Sequence, residues 1–126
     1  MIINFSNHPS DKWGDDQTRA AVSDFGHILD LKFPTVDPKC SSERVLEIAE
    51  QYASEIMSMS PDAVLCQGEF SLAFEVTAIL LSKGIKVVCA CSERDVDEET
   101  DENGTTKKTV KFKFAGFREY LLPTSL

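Results

Sequence analysis

Ala63-Val64-Leu65-Cys66-Gln67-Gly68-Glu69-Phe70, with the apolar run that continues to Leu81, decides the fold. Residues 63–66 are apolar without alternation, which predicts a strand covered on both faces. After it, Phe70, Leu72, Ala73, Phe74, Val76, Ile79, Leu80 and Leu81 fall around most of a helix circumference. A helix apolar nearly all round is expected in the middle of a domain. Gly68 joins the two as a tight turn, with Gln67 and Glu69 on either side. In an open α/β sheet the carboxyl end of a strand is where ligands bind. The plainer reading, that Gly68 is only a turn glycine, stands beside that one.

The same alternation extends in both directions. Upstream, Met1-Ile2-Ile3-Asn4-Phe5 reads as a first strand and Ser6-Asn7-His8-Pro9-Ser10 as a loop. Ser10 is a good N-cap with Asp11 behind it, so a helix is expected from there to about Ser23, ended by Gly26. Its inward stripe is Trp13, Gln17, Ala20 and Ala21. Residues 27–33 form a second strand, and Pro34 and Pro38 stiffen the loop after it. Ser41 or Ser42 then caps an amphipathic helix carrying Val45, Ile48, Ala49, Tyr52, Ala53, Ile56 and Met57, with Pro61 beyond its end. Downstream, Gly84 closes the central helix and residues 85–91 form a β-branched fourth strand. Strand–helix repetition implies parallel strands. The fold class is therefore α/β, a Rossmann-like parallel sheet with helices on both faces, in strand order 2-1-3-4.

The tail departs from that rhythm. Asn103-Gly104 is a hairpin turn signal. Val110, Phe112 and Phe114 alternate with Lys111 and Lys113, as in a half-buried strand. The acidic run 95–102 would pair against the lysines in an antiparallel hairpin over about 94–114, extending the far edge of the sheet. Such cross-strand pairs contribute roughly 0.2–1 kcal/mol each.

Composition narrows the function. At 126 residues and 42% hydrophobic content the chain is one domain with a core. No apolar run reaches the roughly 20 residues that span a bilayer. The first residues have neither a basic region nor an apolar signal core. Cys40, Cys66, Cys89 and Cys91 show no CxxC spacing, and three lie in apolar runs. A reduced, cytoplasmic protein without a metal site or cofactor is expected. A net charge of −8 disfavours long nucleic acid. GxGxxG, GxxxxGK[ST] and GxSxG are all missing.

Three polar turns are expected at neighbouring strand ends: Ser6-Asn7-His8, Gln67-Gly68-Glu69 and Ser92-Glu93-Arg94. Two of them lead into helices, whose free N–H groups favour an anion. Asn7 and Gln67 carry amides suited to a base edge or a ribose hydroxyl. Arg94 suits phosphate. His8 is the candidate general base, the alternative being a loop residue before proline. His27, opening a strand, reads as structural.

Asn4-Phe5-Ser6-Asn7-His8-Pro9, Gln67-Gly68-Glu69-Phe70, Ser92-Glu93-Arg94 and Phe117-Arg118-Glu119-Tyr120 together resemble a group of small, single-domain CRISPR-associated accessory proteins of type III systems with a CARF-like core. The resemblance covers most of the chain in order and spacing. It implies a homodimer that binds a cyclic oligoadenylate second messenger across its two-fold axis. Some relatives cleave that messenger without metal, as ring nucleases, and others only bind it. On this reading the chain lowers the free level of cyclic oligoadenylate by sequestration, cleavage or both. His8 would be the base, Arg94 the phosphate clamp, and Ser6, Asn7, Gln67, Gly68, Glu69 and Ser92 the ligand-binding set. The rival reading is a non-enzymatic regulatory subunit that binds no nucleotide and docks a partner through its charged hairpin. A mononucleotide-binding enzyme is the third.

Overall fold

The computed structural model describes residues 1–123; Leu126, which the sequence places in an apolar tail, lies outside them. A five-stranded sheet in the order β2-β1-β3-β4-β5 is built from β1 (Ile2–Ser6), β2 (Ile28–Lys32), β3 (Ala63–Gln67), β4 (Val87–Thr100) and β5 (Thr106–Glu119). β1 is parallel to β2 and β3, and β3 to β4, while β4 and β5 are antiparallel. The order and the added hairpin are those the strand–helix alternation predicts.

The unalternating sequences of β1 and β3 follow from their position. Ile3, Phe5, Val64 and Cys66 join one buried cluster, with residues of α2 (Ser42–Ser58) and α3 (Phe70–Ser82). Ile2, Ala63 and Leu65 join another, with Trp13 and Ala21 of the segment that includes α1 (Asp15–Phe25). A central strand between two helical layers has no polar face to show. α2 starts as expected: the Ser41 hydroxyl accepts from the Arg44 backbone N–H at 3.1 Å.

Three expectations are corrected. The first helix begins at Asp15, not Ser10, and residues Ser10–Lys12 form only a 3-10 turn. The Ser10 hydroxyl donates to Asp30 Oδ2 at 2.9 Å, so it does not cap a helix, and Gly14 takes the N-cap position.

Secondly, α3 is not in the middle of the domain. Phe70 is 91% and Phe74 68% exposed, while Leu72, Val76 and Leu80 on the opposite side are fully buried. Among the described residues no helix follows β4 to cover that side, because the chain runs directly into the hairpin.

Thirdly, Ser92-Glu93-Arg94 is not a turn. β4 runs straight through it, with a register shift between Cys91 and Ser92, and pairing with β5 extends from Val88↔Glu119 to Thr100↔Thr106. The hairpin is therefore longer than 94–114. Its charge pairing is as expected: Glu93 faces Lys113, Asp95 faces Lys111, Glu99 faces Lys107, and Lys108 Nζ lies 3.3 Å from Glu98 Oε1.

Asn103-Gly104 lies in the hairpin turn, as expected. The loop spans five residues between Thr100 and Thr106, and Asp101 Oδ1 accepts from the Asn103 and Thr105 N–H groups, both at 2.9 Å. Gly104 takes φ 81°, the left-handed residue that such longer loops need.

Gly68 owes its identity to packing. A Cβ there would lie 2.6 Å from ring carbons of Phe33, which is buried against Phe5 at a centroid separation of 4.7 Å. The loop after β2 thus presses an aromatic ring onto the turn after β3. Overpacking of this kind costs typically about 1–3 kcal/mol. Gly68→Ala is therefore expected to lower the denaturant midpoint, and Gly68→Ala with Phe33→Leu to lose less than the sum of the two single changes. Strict additivity would show that the ring does not set the requirement.

Candidate functional site

The carboxyl edge of the sheet is organised by one buried polar network that starts in β1. Asn4, almost fully buried, donates from Nδ2 to Asp30 Oδ1 at 2.8 Å and to the His8 carbonyl at 2.9 Å. Ser6 Oγ lies 2.7 Å from Asn4 Oδ1 and accepts from the His8 N–H at 3.1 Å. Trp13 Nε1 donates to the same His8 carbonyl at 3.1 Å. Asp30 in turn accepts from the Ser10 N–H and hydroxyl. Three side chains therefore converge on the backbone of residue 8, and the loop leaves β1 in one fixed path with the His8 side chain exposed. Buried polar groups held this way are satisfied and rigid.

That loop forms one wall of a cleft of about 390 Å³. Six of the eight residues singled out in the sequence line it: Ser6, Asn7, His8, Gln67, Gly68 and Ser92. Trp13, Gln17 and Ala90 complete the wall with Leu65. Among the described residues no lysine, arginine or carboxylate lines it.

The roles within the set are uneven. The hydroxyl of Ser6, which is buried, is engaged in the network, so Ser6 positions the loop. Gln67 Oε1 accepts from the Ala90 N–H at 2.9 Å, carrying the β3–β4 contact past the last paired residues, Leu65 and Val88. What Gln67 offers a ligand is its amide N–H pair. Asn7, which is exposed, also borders a second hollow with Asn4, Pro9 and Asp30.

Glu69 and Arg94 do not line the cleft. Glu69 caps α3, its carboxylate accepting from the Leu72 N–H at 2.9 Å, the Ser71 N–H at 3.1 Å and the Ser71 hydroxyl. These bonds, the Leu72 N–H first, hold its carboxyl below the ordinary range. The start of α3 already has its anion, and only a three-residue 3-10 turn follows the His8 loop, so free helix N-termini do not supply the binding expected of them. Arg94 stands exposed on β4 opposite Phe112.

Sequence reasoning missed a neighbouring groove of about 530 Å³ that shares His8, Gln17 and Ser92 with the cleft. Lys111, Lys113, Phe112 and Phe114 of β5 border it, together with Asp15, Asp16 and Asp95. The lysine/aromatic alternation was visible as a strand pattern. Its place beside His8 depends on β4 continuing straight past Ser92.

Cys66, next to Gln67, is no candidate nucleophile, since burial pushes its thiol up to about 11. Cys40, Cys66, Cys89 and Cys91 are all free thiols. Among the described residues no three His, Cys, Asp or Glu side chains are grouped to hold a metal ion, and no helix is long and apolar enough to cross a membrane.

The cap on α3 gives a pH-dependent expectation. The carboxyl of Glu69 is depressed in the folded protein, so its contribution is present above the ordinary carboxylate range and is lost as pH falls through the folded value. Removing an N-cap side chain typically costs about 1 kcal/mol. Glu69→Ala should therefore lower Tm at neutral pH, and its gap from the parent should close on acidification. A gap independent of pH would mean that the carboxylate is not the cap.

No curated protein and no solved structure matches the chain. Residues 1–118 match the family model described as the uncharacterized protein MJ1673 family, and the chain belongs to that family.

Proposed function

We propose that the chain is a CARF-like module that binds a cyclic oligoadenylate at the carboxyl edge of its sheet and lowers the free level of that messenger in type III CRISPR signalling. The observation that carries this reading is the cleft itself. Asn7, His8, Gln67 and Ser92, drawn from the ends of β1 and β3 and from the body of β4, line one space with no carboxylate among its described walls. Neutral amides and a hydroxyl suit base edges, ribose hydroxyls and phosphate oxygens alike. The groove that continues from it is bordered by Lys111, Lys113 and Phe112, the last 74% exposed, and also by Asp15, Asp16 and Asp95. An exposed aromatic ring is a stacking platform for an unpaired base. A compact anionic ring needs only a few such contacts, in a protein whose net charge of −8 disfavours a long duplex. The CRISPR context comes from the resemblance of the motifs, the cytoplasmic setting from the cysteine pattern, and the two-fold symmetry of the ligand calls for two copies of the half-site.

If the messenger is cleaved, the step is attack of a ribose 2′-hydroxyl on the adjacent phosphorus. The P–O bond to the 5′ oxygen breaks, leaving a 2′,3′-cyclic phosphate and a 5′ oxygen that takes a proton from water to become a hydroxyl. His8 takes the proton of the attacking hydroxyl, and the rigid loop aligns the imidazole for it. The phosphate clamp is better sought at Lys111 and Lys113, which border the groove, than at Arg94, which borders neither space.

Incubation with labelled cyclic oligoadenylates of several ring sizes in EDTA, followed by chromatography, separates cleavage from retention of intact ligand. A thermal shift reads binding directly: ligand at about 100 times its dissociation constant stabilises the fold by about 2.7 kcal/mol. His8→Ala is expected to leave affinity within a few-fold and to reduce any cleavage by about 10²–10⁴-fold, the usual contribution of a general base. Lys113→Ala should weaken binding more than Arg94→Ala. No shift with any ring size would reject the reading in favour of a subunit that binds no nucleotide.

A further inference from the structure

α1 turns one stripe to the sheet. Ala21 on that stripe is fully buried, in the cluster that holds Ile2, Leu65 and Val88. Gln17 stands one turn earlier on the same stripe. Helical side chains lean toward the N-terminus of their helix. The start of α1 lies beside the His8 loop, and there Gln17 borders both the cleft and the neighbouring groove. A leucine or methionine at this position would simply extend the apolar contact of Ala21. A glutamine forgoes that burial, which is a local rule broken at the edge of a candidate site.

Asn7, Gln17 and Gln67 all bring amides to the cleft, and their surroundings tell them apart. Gln67 Oε1 is taken by the Ala90 N–H, so Gln67 keeps only donors to offer. Asn7 does not border the groove that holds Phe112. Gln17 borders both spaces, is half-buried, and among the described residues its amide makes no hydrogen bond to the protein. It stands at the third position of α1, where a glutamine often reaches back to the N-cap backbone, yet no side-chain bond caps this helix. No buried side-chain polar atom among the described residues is left unpaired, so the free amide of Gln17 is open to solvent. It keeps both a donor and an acceptor.

We infer that Gln17 is the specificity-determining residue of the site, reading the ligand's base and selecting adenine. The inference rests on the oligoadenylate reading above and adds to it the group that tells one base from another. On the edge that carries N7, adenine presents an amine donor at N6 beside an acceptor at N7. A carboxamide matches both, Oε1 accepting from N6 and Nε2 donating to N7. Guanine presents two acceptors on that edge, which sets Oε1 against O6. The other polar groups of the groove match only half of the adenine pattern. Lys111 and Lys113 donate and cannot accept, while the ionised Asp15, Asp16 and Asp95 accept and cannot donate. Phe112, in the same groove, gives the base a face to stack on. His8 borders the same two spaces, so base reading and the proposed proton transfer fall on one ligand.

The test is base selectivity in Gln17→Met. Methionine keeps the length and helix preference of glutamine and removes both polar atoms. Isothermal titration gives affinities for cyclic oligoadenylates of several ring sizes, and for the same rings built from 7-deaza-adenosine or from guanosine. The parent should bind the adenine ring about 10–100-fold more tightly than either analogue, the discrimination of one bidentate pair. Gln17→Met should bind all three rings alike, at the parent's affinity for the analogues, with a melting temperature no lower than the parent's. Gln17→Glu, which keeps an acceptor for N6 and loses the donor, should no longer tell adenine from its 7-deaza analogue. Equal weakening of all three rings in Gln17→Met would show that Gln17 only shapes the cleft, and overturns the inference. A parent that binds the three rings alike overturns it too, and both results leave the oligoadenylate reading standing. A parent that binds no adenylate ring rejects that reading and the inference with it.

Discussion

The ring of Phe33 against Gly68 is the contact on which the arrangement depends. Phe33 leaves β2, stacks on Phe5 of β1, and fills the space that any side chain at position 68 would need. Phe5 also meets Tyr52 of α2 at 5.2 Å. One aromatic cluster thus ties the loop after β2, the central strand, the second helix and the turn after β3. The turn can pass so close to the ring only because residue 68 has no Cβ. Gln67 and the start of α3 are placed by that approach.

A second constraint acts on the other side of the cleft. The backbone of His8 is held by Asn4, Ser6 and Trp13, and Asp30 secures Ser10 behind it. None of these bonds uses the imidazole. The network therefore fixes where the side chain is presented without occupying it, which is what a site needs from its supporting groups. The same economy explains why Ser6 and Glu69, both polar and both beside the cleft, serve structure: each has its hydrogen-bonding capacity taken up locally.

Much of this was legible in the residues. The strand order follows from four apolar segments separated by helical ones, and the unalternating β1 and β3 could only be central. The hairpin was legible from the lysine/aromatic alternation. Other features depended on long-range geometry. Ser10 looks like a helix cap until Asp30, twenty residues on, is seen to take its hydroxyl. Ser92-Glu93-Arg94 looks like a turn because it is polar and follows a buried strand, yet the partner strand β5 carries β4 through it. The apolar circumference of α3 suggested burial, and the structure buries only one side of it. Of the site, the Asn7, His8, Gln67 and Ser92 grouping was readable from topology. The Asn4–Asp30 contact and the position of Lys111 and Lys113 were not, since neither leaves a local pattern.

The central claim is that the cleft between the His8 loop and the Gln67-Gly68 turn receives a cyclic oligoadenylate. Backbone amide chemical shifts followed during titration with cyclic oligoadenylates test it most directly, because they locate a ligand without requiring turnover. Binding in the cleft predicts that the largest changes fall on Asn7, His8, Gln67, Gly68 and Ser92, with smaller ones reaching Phe112 and Lys113. Changes centred on α2, or an unchanged spectrum with every ring size, would contradict it.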